Sequence, residues 1–102
     1  MILVMGHIKV AAGEGEKLRE TLVAHMATTK AEDGCEDYSF AFDVADPDTI
    51  RISERWAGPE ALAAHGQAAH QKAFGRTLRD YTVESIGVKA YSGEFWRTLI
   101  GE

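Results

Sequence analysis

The chain has one cysteine, Cys35, and two prolines, Pro47 and Pro59, in 102 residues. A lone cysteine excludes an internal disulfide and suits a reducing compartment. Basic residues are outnumbered, 11 Lys and Arg against 16 Asp and Glu, for a formal net charge of −5. That deficit speaks against nucleic acid or an anionic membrane as partner, because both demand a basic patch. The opening apolar stretch, Ile2 to Val10, is too short to span a bilayer and lacks the basic start and cleavage site of a signal peptide. HxH, HxxxH and Cys/His clusters are all missing, and the five-residue spacing of His65 and His70 does not suit chelation from one regular helix, so no metal is expected. Gly13-Glu14-Gly15 is too short and too acidic for a phosphate loop. These absences leave the expectation of a soluble cytoplasmic protein.

What is present reads as one α+β domain over residues 1–102, small enough that oligomerisation would help it bury surface. Residues 2–10 read as a strand with Ile2, Val4, Ile8 and Val10 on one face and Leu3 and Met5 on the other. From about Glu16 to Ala31, Leu18, Thr21, Leu22, His25, Met26 and Thr29 form an amphipathic helical face, with Gly34 as its stop. Tyr38, Phe40 and Phe42 alternate along a strand from Cys35 to Val44. Ala45-Asp46-Pro47-Asp48 then turns the chain into a second strand of a hairpin. Gly58-Pro59 opens a second helical region. Its two stripes, Leu62/His65 and His70/Phe74/Leu78/Tyr81, do not align on one ideal helix, since His65 and His70 lie about 140° apart at ~100° per residue. A kink or a short loop at Gly66 would turn both inward. A last strand spans about Val83 to Tyr91. The tail beyond it, with Phe95, Trp96, Leu99 and Ile100, should pack on this subunit or a partner. The order strand–helix–strand–strand–helix–strand is the ferredoxin-like split βαβ arrangement, with an antiparallel sheet and helices on one face. A second copy covering the bare face would give a homodimer.

Chemistry concentrates on the stretch from Ile50 to His65. Glu54 and Trp56 share the inward strand face, and His65 follows on the helix. An inward carboxylate must find a partner or shift its pKa. Glu54 is therefore either bound to a helix-borne histidine, an arginine or a backbone N–H, or acts as a base or as the group orienting His65. His65 and His70 are the candidates for proton transfer, although each could be a satisfied core histidine. Trp56 would wall a pocket and steer a substrate oxygen through its N–H, or simply fill the core. Tyr38, His25 and Phe74 complete the expected substrate-binding set, with strand or core packing as the plain alternative for the aromatics. Nothing adjacent marks Cys35 as an activated thiolate.

Gly34-Cys35-x-x-Tyr38, Glu54-x-Trp56, Glu60-Ala61-Leu62-x-x-His65, His70 and Lys72-Ala73-Phe74, in this order, resemble the antibiotic biosynthesis monooxygenase family of dimeric α+β barrel proteins. The resemblance covers roughly residues 2–91. It implies a homodimer and a pocket for a small aromatic or apolar substrate. The activities it points to include cofactor-independent oxidation of phenols or quinols by O₂. The haem-degrading branch is matched only at Trp56. Gly6 stands about where its strand asparagine would be, and its histidine ligand would fall near Gly75. Some phenol-oxidising members also use an asparagine, and this chain has none. The leading expectation is thus a monooxygenase without metal, flavin or haem, using His65 or His70 as base. A non-oxidative isomerase of a hydroxy-ketone, or a dimeric small-molecule-binding protein, are the alternatives.

Overall fold

The computed structural model describes residues 1–102. Alternation sets its strands. In β1 (Ile2–Val10), Val4, Ile8 and Val10 are buried while Met5 is 56% exposed. β2 (Cys35–Asp43) turns Tyr38 inward between exposed Asp37 and half-buried Ser39. In β3 (Asp46–Trp56), Ile50, Ile52, Glu54 and Trp56 are buried, and Arg51, Ser53 and Arg55 face solvent. β4 (Val83–Ser92) closes the sheet. The order is β2-β3-β1-β4 with every neighbouring pair antiparallel, the ferredoxin-like topology. Register places Tyr38 and Val4 on either side of Glu54, and Ala90 beyond Val4. A row of four side chains thus crosses the sheet beneath the helices.

The helices differ in detail from the periodicity. The first is two pieces, α1 (Glu14–Lys17) and α2 (Arg19–Lys30). The start of α1 is held from across the fold. The Asp48 carboxylate accepts the N–H groups of Gly13 and Gly15 at 3.0–3.2 Å, an anion at a helix start supplied by β3. A side chain at Gly15 would meet the Pro47 carbonyl oxygen at 2.3 Å, so only glycine permits this docking. The hairpin reversal is tighter than expected, at Val44-Ala45, and β3 already begins at Asp46. Asp43 and Asp46 each accept a backbone N–H two residues on, so these aspartates make the turn without a longer loop.

α3 (Pro59–Gln67) and α4 (Ala69–Leu78) are separate helices, so of the expected kink or short loop the structure shows a short break. The break falls at Ala68, which is extended (φ −66°, ψ 141°), and not at Gly66. Gly34, at φ 79°, lets the turn after α2 pass against Ala61 of α3 and accepts the Ala57 N–H at 2.8 Å. Two apolar clusters hold the layers together. One joins Ile8, Val10, Leu18, Leu22, Ile50, Ile52 and Phe74; the other joins Val4, Tyr38 and Trp56. The helices leave β4 uncovered, with Ile86 and Val88 exposed on the helix side. Phe95, Trp96, Leu99 and Ile100 are exposed too, so the tail does not pack on its own subunit. No helix is long and apolar enough to cross a membrane.

Candidate functional site

Three histidines and a glutamate meet where the turn after α2, α3 and the start of α4 converge. Glu32, in that turn, is the hub. One carboxylate oxygen, Oε2, accepts from His65 Nδ1 at 2.6 Å and from His70 Nε2 at 2.9 Å. A carboxylate oxygen can only accept, so the shared bond assigns both tautomers. In their neutral forms His65 therefore carries its proton on Nδ1 and His70 carries its proton on Nε2. The Ala68 break makes this possible, by swinging His70 back to the side that His65 occupies.

The other ring nitrogen of His65 is free of protein partners. Nε2 has no protein partner, yet Thr29 Oγ1 is the one fully enclosed side-chain polar atom left unbonded. Nε2 therefore reaches solvent. His65 also lines a cleft of about 330 Å³, with Val4, Glu54, Leu62, Gly66, Gln71, Val88 and Ala90. That volume is at the small end of ligand sites, roughly 300–1,000 Å³. Half of the lining residues are apolar, and two of those belong to the uncovered β4.

Glu54 is not tied to a histidine. Its Oε1 accepts the indole N–H of Trp56 at 2.8 Å. Burial pushes the Glu54 carboxyl above the ordinary carboxylate range, against the lowering effects of that bond and of nearby His65. The expected steering of substrate by the Trp56 N–H therefore fails, because that donor is already committed. Trp56 is wholly buried, its ring 4.9 Å from the His65 ring, and stands behind the cleft as support for the imidazole, not as its wall.

The remaining expected residues divide. Tyr38 is buried edge-on to His65 and Trp56, and burial keeps its phenol protonated far above its ordinary range. His25 stacks on Phe74 at 4.2 Å and bonds Gln71 Oε1 through Nε2 at 2.8 Å. Desolvation lowers the His25 pKa, so it is held neutral. His25, His70 and Phe74 line a different cleft, of about 310 Å³, between α2 and α4. The structure thus brings His65 and Glu54 into one cleft and sets His70, His25 and Phe74 on the other side of the Glu32 hub. Glu32 and Gln71 are the residues that sequence reasoning missed. Glu32 had the look of a helix-ending Glu-Asp-Gly, and no local pattern marks its partners 33 and 38 positions away.

Comparison with known proteins agrees with the geometry. The family model described as antibiotic biosynthesis monooxygenase matches residues 1–77. A candidate antibiotic biosynthesis monooxygenase from Deinococcus radiodurans superposes with a TM-score of 0.91 at 25% identity, over 99% of this chain and 100% of its own. A second, from Nitrosomonas europaea, gives 0.85 at 20% identity over 93% and 100%. Rv0793 from Mycobacterium tuberculosis gives 0.83 at 20% identity over 95% and 98%. The last two establish likeness of fold alone. No curated protein matches the sequence.

Proposed function

From its place in the antibiotic biosynthesis monooxygenase family, to which the chain belongs, we propose that it oxidises a small phenol with O₂, using His65 as general base. The observation that carries this reading is the Glu32–His65 pair, with His65 lining a half-apolar cleft and its Nε2 free of protein partners. A phenol lies against Val4, Leu62, Val88 and Ala90 with its hydroxyl on His65 Nε2. His65 takes the phenolic proton, and the Glu32 carboxylate stabilises the imidazolium through Nδ1. The phenolate is electron-rich enough to reduce O₂ without help. One oxygen atom enters the ring as the new quinone carbonyl, the other leaves as water, and the substrate supplies all the electrons. Glu54, protonated more readily than an ordinary carboxyl, is in the same cleft to give a proton to the departing oxygen. The exposed apolar residues of β4 and the tail are covered by a second copy, so the working unit is a homodimer.

Oxygen uptake with a panel of one- and two-ring phenols tests the reading. Uptake at or below the buffer rate for every phenol would sink it, as would uptake unchanged in His65→Ala. One observation favours a second reading: an acid and a base share the cleft, which also suits proton transfer between the carbons of a hydroxy-ketone. That isomerase would place solvent deuterium in the substrate with no oxygen consumed.

A further inference from the structure

We propose that Glu32, His65 and His70 together bind a divalent first-row transition cation, for which Zn²⁺ is the probe. Their donor atoms, one carboxylate oxygen and two imidazole nitrogens, lie within 4.8 Å of one another. They come from three separate pieces of the chain: the turn after α2, α3, and the first turn of α4. Two imidazoles and a carboxylate suit zinc, which with three protein ligands keeps its fourth position for water. His65 is buried while Glu32 and His70 keep some exposure, so a solvent ligand can enter from their side. No lysine or arginine pairs with Glu32; its two partners are the histidines themselves, through hydrogen bonds. A second carboxylate, Glu54, feels the Glu32 charge as repulsion. A cation would relieve both.

The hydrogen-bonded pairs must open slightly. Donors on a tetrahedral ion with ~2.0–2.1 Å bonds stand about 3.3 Å apart, so the 2.6 and 2.9 Å contacts part by roughly half an ångström each. The joint at Ala68, where α4 starts without a side-chain cap, is where that movement is accommodated. A neutral imidazole loses no proton to the metal; it moves its N–H to the other ring nitrogen. For His65 that nitrogen is Nε2, the atom free of protein partners. A bound cation and a basic His65 therefore exclude each other, and occupancy switches off any reaction that needs the base. The site itself stands on the ligand geometry and does not depend on the proposed oxidation.

Titration calorimetry of the full chain, first freed of metal by a chelator, is the test. One Zn²⁺ per chain is expected. Glu32→Ala, His65→Ala and His70→Ala should each weaken it by about 100-fold or more, the upper end of what loss of even an outer-shell partner costs. His7→Ala, distant and bonded to Ser85, should leave affinity unchanged. Co²⁺ in the unmutated chain should give the intense visible absorption of four-coordinate cobalt, which keeps the test readable if a variant fails to fold. Glu32→Gln is the milder substitute for Glu32→Ala. No binding, a weak six-coordinate cobalt spectrum, or affinity that survives in folded His65→Ala and His70→Ala would each overturn the assignment.

Discussion

Removing Glu32 is the perturbation with the sharpest consequences. Its carboxylate oxygen holds two imidazole N–H groups, at 2.6 and 2.9 Å. Hydrogen bonds to a charged group contribute ~1.5–3 kcal/mol each when well enclosed. Glu32 and His70 keep some solvent contact, so water replaces part of what is lost. Glu32→Ala is therefore expected to cost about 2–3 kcal/mol in total, at or just below the roughly 3 kcal/mol minimum for two fully enclosed bonds. The catalytic cost is larger than the stability cost suggests. Without Glu32, His65 is free to carry its proton on either nitrogen, and its imidazolium loses the adjacent negative charge. Loss of a general base or of the group that orients it lowers kcat by roughly 10²–10⁴. Glu32→Gln should fall between, since the amide oxygen still accepts from Nδ1 but offers no charge. Glu32 does not line the cleft, so KM should change little in either variant. The assay is steady-state oxygen uptake on a phenol that the unmutated chain turns over, with urea unfolding in parallel. A folded Glu32→Ala protein with unchanged kcat would refute the reasoning, as would a loss confined to KM.

Other consequences can be checked independently. Burial raises the Glu54 pKa, so the fold prefers its protonated form. The sign follows: that preference contributes its full stability below the ordinary value of 4.5 and is lost as pH rises through the folded pKa. Glu54→Gln keeps an acceptor for the Trp56 N–H and has no charge to bury. Its melting temperature should therefore exceed that of the unmutated protein at pH 7, with the gap closing towards pH 4.5; a lower value at pH 7 would contradict the account. Tyr38 is likewise raised, by burial first and by the Glu54 charge second. Its contribution is complete below the ordinary tyrosine value of 10 and is lost as pH climbs beyond it. Ultraviolet titration of the folded protein should show fewer than three ionising tyrosines, with all three appearing after unfolding, and Tyr38→Phe should abolish the difference. Deleting residues 93–102 removes four exposed apolar side chains of the tail. Sedimentation should then show a weakened dimer, whereas an unchanged association constant would place the interface elsewhere.

Most of the fold was legible because it rests on local rules. The alternation of Tyr38, Phe40 and Phe42, and of Ile50, Ile52, Glu54 and Trp56, is a period-two signal that burial of one sheet face enforces. The inward stripe of Leu18 and, in α2, Leu22, His25 and Thr29, all buried, follows from the same logic at helical period. The resemblance carried by Glu54-x-Trp56 and His65 agrees with the family match over residues 1–77. What stayed hidden is long-range. The anchoring of the α1 start depends on Asp48 reaching back to Gly13 and Gly15. The break in the second helical region is announced by Gly66 but falls two residues later, at Ala68.

The candidate site was legible in its members more than in its wiring. Glu54, Trp56 and His65 do share one side of the sheet, as alternation requires. Their bonding is not what proximity in sequence suggests, because the indole two residues away satisfies Glu54 before any helix-borne group can. The orienting carboxylate comes from a turn. Its role arises only when α2, α3 and α4 are packed together, and no periodicity encodes that.

The central claim is that Glu32 holds His65 with its proton on Nδ1 and its Nε2 free of protein partners. Long-range proton–nitrogen NMR correlation of the imidazole rings, near neutral pH in metal-free protein, reads this directly. The account predicts a protonated Nδ1 and an unprotonated Nε2 for His65, the reverse pattern for His70, and loss of both preferences in Glu32→Ala. A His65 protonated on Nε2, or a tautomer pattern indifferent to Glu32, would contradict it.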